Sequence, residues 1–139
     1  MPLVDPNTLT QNFINLLRAL PDIGGRIFDG PAPDDLPKDG IHVRPYIVVW
    51  AGVGTDIERG VNHLTDTGLD WNATTLVVAS NPTICRQAAQ QVRVALTNQY
   101  IGGWLVPDPD AFRIATPYPD TTYTPSRSQL PLMWRVLAT

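Results

Sequence analysis

Residues 69–100, LDWNATTLVVASNPTICRQAAQQVRVALTNQY, predict a strand that runs directly into an amphipathic helix. Residues 69–80 are rich in β-branched and large apolar side chains, as is typical of a strand buried on at least one face. Asn81 is a good N-cap, and Pro82 suits the first helical position, where its missing N–H costs nothing. Apolar residues then recur at the spacing of one helical face, at Ile84, Ala88, Val92, Ala95 and Leu96. This strand and helix are predicted to pack against each other, and residues 69–100 show no pattern typical of catalysis.

A second helix and further strands flank this unit. Asp5-Pro6 repeats the cap-then-proline device, and a leucine-rich face from Leu9 to Leu20 predicts a helix that Pro21 ends. The other predicted strands are residues 26–28, 46–51, 112–114 and 132–138. The sequence therefore predicts an α+β fold, with one domain over residues 1–139 and the order α-β-β-β-α-β-β. Two helices pack on one mixed or antiparallel sheet.

Fourteen prolines and ten glycines cluster between the periodic segments. Three long, Pro-rich or polar loops are predicted at residues 31–44, 55–68 and 106–131, and the last of these includes a loop over residues 116–131. Trp50 and Trp134 lie in apolar strands, so both are predicted to be core residues. In the last strand, Leu132, Trp134 and Val136 should share one face, with Met133, Arg135 and Leu137 on the other.

Composition excludes several classes of function. The net charge is −3 and no run of Lys or Arg occurs, which argues against a nucleic-acid binder that works by a general basic field. No stretch approaches the roughly 20 apolar residues of a membrane helix. The N-terminus lacks the charged start and apolar run of a signal peptide, so folding in a reducing cytoplasm is expected. A single cysteine, Cys85, excludes an intrachain disulfide and a Cys-based zinc site.

The residues that carry chemistry do not form a recognisable site. His42 and His63 lie in separate segments and lack the i, i+4 spacing of a metalloprotease helix. A metal set of His63, Asp66 and Asp70 competes with the simpler interpretation of a solvated loop. Cys85 falls early in a helix beside its apolar face, which favours a buried, inert thiol. No catalytic residue, cofactor or metal ligand is assigned, and an enzyme is not expected.

Two groups of residues are candidates for contacts with a neighbouring subunit or another protein. The first consists of charged residues in the polar loop at 55–68, which carries both signs of charge. The second consists of aromatic residues in Gly/Pro-rich loops, where exposed rings often mark interfaces. The competing interpretation is that these rings pin their own loops to the surface. The candidates are Asp56, Glu58, Arg59, His63, Asp66, Trp104, Tyr118 and Tyr123.

The order of the motifs resembles one protein family. A leucine-rich helix ends before GRIFDG at residues 25–30, and a proline-bearing arm leads to PYIVV at residues 45–49. A polar loop, a long strand, a helix with Arg and Ala, and a final apolar strand complete the order. In this the chain resembles the tail terminator, or tail-to-head joining, proteins of long-tailed bacteriophages. The resemblance covers nearly the whole chain.

That resemblance implies a structural virion protein. Its subunits would form a homo-oligomeric ring, usually a hexamer, that caps the tail tube, ends tube polymerisation and presents a joining surface to the head–tail connector. The ring would be assembled in the host cytoplasm and lie at the head-proximal end of the tail, with no membrane partner. DNA would pass through its lumen without specific binding, helped by an acidic balance that includes Asp34, Asp35 and Asp39.

Three other functions stay open. A neck or head-completion protein of the same virion is the nearest alternative, since it would bind the portal side and need not touch the tail tube. A monomeric binding module, with the loop aromatics holding a ligand, belongs to a different class. So does a small enzyme with an unrecognised Asp/His site.

Overall fold

In a computed structural model of the chain, the described residues are 5–56, 68–108 and 116–138. Within them, two α-helices lie on one face of a mixed β-sheet, which confirms the predicted α+β class. The helices are α1 (Pro6–Arg18) and α2 (Pro82–Leu96). The strands are β1 (Ile27–Asp29), β2 (Lys38–Asp39), β3 (His42–Val43), β4 (Tyr46–Ala51), β5 (Thr55–Asp56), β6 (Leu69–Ala79), β7 (Leu105–Pro107), β8 (Tyr118–Asp120) and β9 (Arg127–Ala138).

Both helices begin as their sequences predict. The side chain of Asp5 accepts a hydrogen bond from the backbone N–H of Asn7 at 2.9 Å, and Asn81 accepts one from Ile84 at 2.9 Å. Each cap satisfies a backbone donor that the first helical turn cannot pair internally. A proline follows each cap at the start of the helix.

The sheet is organised around its two longest strands. Its order is β1-β4-β6-β9-β7, and all eleven residues of β6 pair with β9 in antiparallel register, from Leu69 opposite Ala138 to Ala79 opposite Ser128. β1 runs parallel to β4, while the other pairs are antiparallel. β5 pairs with β6 beyond the end of β4, and β8 pairs with β9 beyond β7. β2 and β3 form a separate hairpin.

Strand alternation decides which side chains enter the core. Every second residue of β6 and β9 points toward the helices and is buried, including Trp71 and Trp134. Phe13 of α1 meets Trp71 edge to face, with ring centroids 5.5 Å apart. Trp134 is therefore a core residue, as predicted, and Cys85 lies fully buried in the same core.

Three sequence expectations need correction. Trp50 is not a core residue but is 51% exposed, because it alternates with buried Val49 and points to the sheet face away from the helices. The arm at 31–44 is not wholly irregular, since it contains the β2–β3 hairpin. The loop predicted at 116–131 instead holds β8 and the first part of β9. The strand predicted at 112–114 lies outside the described residues.

Among residues 5–56, 68–108 and 116–138, a covering layer lies over only half of the second face of the sheet. Leu36 and Val43 of the arm pack on Tyr46, Val48 and Val78, and these residues form a small second core. The arm leaves the other half of this face without a layer among the described residues. The candidate functional surface lies on that uncovered half.

Candidate interaction surface

The uncovered half of the sheet carries large apolar side chains. Here it is called the open face, and it comprises Trp50, Trp104, Val106, Met133 and Leu137, whose exposed fractions run from 41% to 63%. In an ordinary antiparallel sheet with one wet face, these positions would be polar. The open face is therefore an exposed apolar patch of the kind that marks an interaction site.

The strand register shows that the apolar residues of the open face share one side of the sheet with polar neighbours between them. Trp50 lies opposite Thr74, which lies opposite Met133, so the three form one row across β4, β6 and β9. In the next row Asn72 lies opposite Arg135, and Arg135 lies opposite Val106 of β7. These neighbours share one face because paired residues in a sheet point the same way.

One ion pair lies inside this patch. Arg135 donates to both carboxylate oxygens of Asp70, at 3.0 Å from Nε and 2.9 Å from Nη2. These hydrogen bonds raise the pKa of Arg135 above its ordinary value. The bidentate pair cancels two charges within the patch, so a partner that covered it would not bury an unpaired ion.

An ordered turn holds an aromatic pair at the edge of the open face. After α2 the chain passes through Asn98 in the left-handed region (φ 61°), and its N–H donates to the carbonyl of Leu105 at 2.9 Å. Within this turn Tyr100 and Trp104 meet edge to face, with centroids 5.2 Å apart. Asn12 of α1 donates to the carbonyl of Ile101 at 2.9 Å and ties the turn to the helix layer.

Both rings of this pair stay in solvent although the turn is hydrogen-bonded. Tyr100 is 62% exposed and Trp104 is 63% exposed. Gly103 packs tightly on β9, since a Cβ there would lie 2.6 Å from the carbonyl oxygen of Leu137. A rigid, exposed aromatic pair is typical of a binding hot spot, because little side-chain entropy is lost on contact.

The structure separates the predicted aromatic candidates. Trp104 lies at the Leu137 end of β9, whereas Tyr118 pairs with Gln129 near the opposite end of that strand. Eight residues of extended strand separate those ends by roughly 27 Å. Tyr118 is 46% exposed, and Tyr123 stacks on Arg127, whose Cζ lies 3.5 Å from its ring centroid. The predicted aromatics therefore belong to two surfaces.

The charged candidates cannot be placed in the same way. The backbone of Asp56 belongs to β5 and pairs with Leu69. Glu58, Arg59, His63 and Asp66 lie outside the described residues, so their predicted role in contacts stays a prediction.

Tyr123 belongs to a cleft between the arm and the segment that leads into β9. This arm cleft encloses about 300 Å³ and is lined by Pro31, Asp34, Tyr46, Trp50, Tyr123 and Arg127, among others. Arg127 donates a hydrogen bond to the hydroxyl of Tyr46 at 2.9 Å, so its guanidinium already has a partner among the residues that line the cleft. Burial raises the pKa of Tyr46, which keeps that hydroxyl protonated at neutral pH.

The described residues offer little for catalysis. Burial raises the pKa of the Cys85 thiol to about 11, and its Sγ lies 3.6 Å from the carbonyl oxygen of Val77. A thiol in that state is a poor nucleophile. No group of three or more His, Cys, Asp or Glu in residues 5–56, 68–108 and 116–138 is arranged to hold a metal ion.

Sequence reasoning missed most of the open face. The sequence of β9 indicates this face, because Met133 and Leu137 are apolar although they alternate with the core residues. Apolar residues on both faces of one strand indicate that both faces meet other groups. Trp50 was assigned to the core because a continuous apolar run does not reveal where a covering arm stops.

No protein-family model matches this chain, and no curated protein sequence matches it. Among the residues that the structure describes, neither helix has the length and apolar character needed to cross a lipid bilayer.

Proposed function

We propose that this chain is a structural subunit of a bacteriophage tail: a tail terminator that forms a ring on the end of the tail tube. The ring stops tube polymerisation and presents the joining surface to the head connector. It lies in the virion at the head-proximal end of the tail. The proposal combines the motif order of the sequence with one feature of the surface.

That feature is the open face together with the aromatic pair Tyr100 and Trp104 at its edge. An apolar face of this kind suits a protein that works by association, because burying it against another chain releases free energy without any chemistry. A ring subunit needs such contacts on two different sides, since a closed ring is built from head-to-tail interfaces. The assignment to a phage tail comes from the resemblance in motif order, in which GRIFDG is followed by the proline-bearing arm and then by PYIVV.

The arm cleft favours a second candidate, a small binding module. Its volume of about 300 Å³ lies at the small end of the range for ligand pockets, and Tyr46, Trp50 and Tyr123 line it. A module of this type would act as a monomer, with the cleft as its working surface. The terminator is preferred because the open face, apart from Trp50, has no role in a monomeric module that works through the cleft.

Tube-length control tests the proposed function. The tail-tube protein of the same phage is polymerised with increasing amounts of the purified chain, and tube lengths are measured by negative-stain microscopy. A terminator shortens the tubes and appears as a ring at one end of each. The substitution Leu137→Glu should reduce this capping, while Tyr118→Glu should not, since Tyr118 is 46% exposed and pairs with Gln129 near the other end of β9, outside the open face.

Tubes whose lengths do not change at any ratio of the two proteins would contradict the terminator assignment. Binding of the chain to connector protein alone would instead favour the neck or head-completion alternative.

A further inference from the structure

The two sides of the molecule differ in charge. The helices α1 and α2 contain three arginines, Arg18, Arg86 and Arg93, and no Asp or Glu. On the other side of the sheet, the arm at residues 31–44 contains three Asp, one Lys and one Arg, and the arginine, Arg44, is paired with Asp39. Asp34 and Asp35 are exposed there. The helix side is thus basic, while the arm side is acidic.

Each of the two sides also carries an exposed apolar surface. Between the helices, Leu20, Pro21, Val94 and Ala95 line an apolar groove of about 380 Å³, together with Gln90 and Gln91. Val94 is 69% exposed at this groove. Arg86 lies eight residues before Val94 along α2, or about 12 Å along the helix axis, and it lines a neighbouring groove together with Arg93 and Leu132.

On the arm side, acidic and apolar residues are neighbours. Trp50 and Asp34 line the same cleft, so the acidic arm borders the open face directly. Met133 lies two strands away from Trp50, or about 10 Å, in the same row.

We propose that the open face and acidic arm of one copy of this chain dock on the helix side of a second copy. Met133 and Trp50 meet the groove at Val94, and Asp34 and Asp35 meet Arg86 and Arg93. This inference deepens the proposed function, on which it rests, by naming the two surfaces that join ring subunits. It puts the acidic arm at the subunit contact instead of the lumen.

The area of the open face supports a second copy as the occupant. With aromatic side chains offering about 150–250 Å² each, the exposed portions of the open face and Tyr100 amount to roughly 600 Å². A stable interface buries about 800 Å² on each partner, and the arm supplies the polar remainder as its rim. Because the two surfaces differ and lie on opposite sides of the sheet, the contact is head-to-tail.

A mixing experiment with two blocked variants tests this contact. Met133→Glu blocks the open face, and Val94→Glu blocks the helix side; both residues are exposed, at 44% and 69%, so the fold should tolerate the charge. Each variant alone should be monomeric by native mass spectrometry at concentrations where the unmodified chain assembles. Mixed in equal amounts, they should form a one-to-one dimer, because one intact surface remains on each.

Tyr118→Glu serves as the matched control: Tyr118 is 46% exposed, much as Met133 is, lies opposite Gln129 outside both docking surfaces, and should leave assembly unchanged. Assembly of Val94→Glu alone, or a mixture that stays monomeric, would overturn the head-to-tail contact. An unmodified chain that is monomeric at all concentrations would overturn it too. In that case tube-length control, measured separately, still decides the proposed function by itself.

Discussion

Arg26 shows how a residue of the GRIFDG motif stabilises the fold. Its side chain is buried, and Nε donates to the carbonyl of Pro45 at 2.6 Å. The guanidinium also donates to both carboxylate oxygens of Asp22, at 3.2 and 3.0 Å. Asp22 has an unusual backbone conformation, with φ 62°, at the turn after α1. The motif thus fastens the end of the first helix to the start of β4, and its arginine has a structural explanation.

This pair predicts an acid-sensitive contribution to stability. The hydrogen bonds from Arg26 lower the pKa of Asp22 in the folded state. Its stabilising effect is therefore complete above the unfolded pKa of about 4, and is lost as the pH falls through the lower folded value. Asp22→Asn should lower the urea midpoint at pH 7, and the difference from the unmodified chain should shrink below about pH 4.

Asp39→Asn is the matched control for this prediction. Asp39 pairs with Arg44 at 2.9 Å, and the two aspartates are similarly exposed, but Arg44 is 45% exposed whereas Arg26 is buried. Exposed ion pairs contribute little to stability. A midpoint for Asp22→Asn that equals that of Asp39→Asn at every pH would contradict the argument.

At the scale of an element, the turn between α2 and β7 presents the aromatic pair. Its backbone closes through hydrogen bonds, and Gly103 allows it to lie against β9. A Cβ at this position would lie 2.6 Å from both the Leu137 carbonyl oxygen and Cγ1 of Val136. Because the backbone oxygen cannot move aside freely, even the smallest side chain has no room.

Gly103→Ala should therefore destabilise the fold by about 1–3 kcal/mol, the usual cost of overpacking. Urea unfolding followed by tryptophan fluorescence would measure this loss. Gly25→Ala is the control, since a Cβ on Gly25 meets no atom within 4 Å. Equal stability of the two variants would show that the turn does not pack as closely as described.

At the scale of the whole molecule, the separation of charge predicts how assembly responds to salt. Attraction between the basic helix side and the acidic arm speeds association, and dissolved ions screen it. Raising NaCl from about 0.1 M to about 1 M shortens the screening length from about 10 Å to about 3 Å. The association rate of the chain, followed by light scattering, should fall by about tenfold or more.

The double substitution Asp34→Asn with Asp35→Asn should make that rate much less sensitive to salt. Unlike a charge reversal, the two amides remove the attraction without adding repulsion. Association that is equally salt-dependent in this variant would assign the electrostatic effect to other residues.

The local features of this protein can be predicted from its residues alone, because each depends on positions close along the chain. The caps at Asp5 and Asn81 follow from residue type, and the alternation of β9 and three of the five predicted buried positions of α2, Ala88, Val92 and Leu96, follow from periodicity. The burial of Trp134 and Cys85 follows from the same periodicity. The predicted α+β class is confirmed because the long apolar segments have only a few ways to pack.

Only the tertiary structure decided which part of the sheet stays uncovered. The arm reaches Tyr46 and Val48 but stops before Trp50, and no local pattern encodes that limit. Likewise, the distance between Trp104 and Tyr118 depends on where β7 and β8 pair along β9. Strand pairing joins residues that are distant in the sequence, so the composition of either partner does not reveal it. The open face exists because of those pairings.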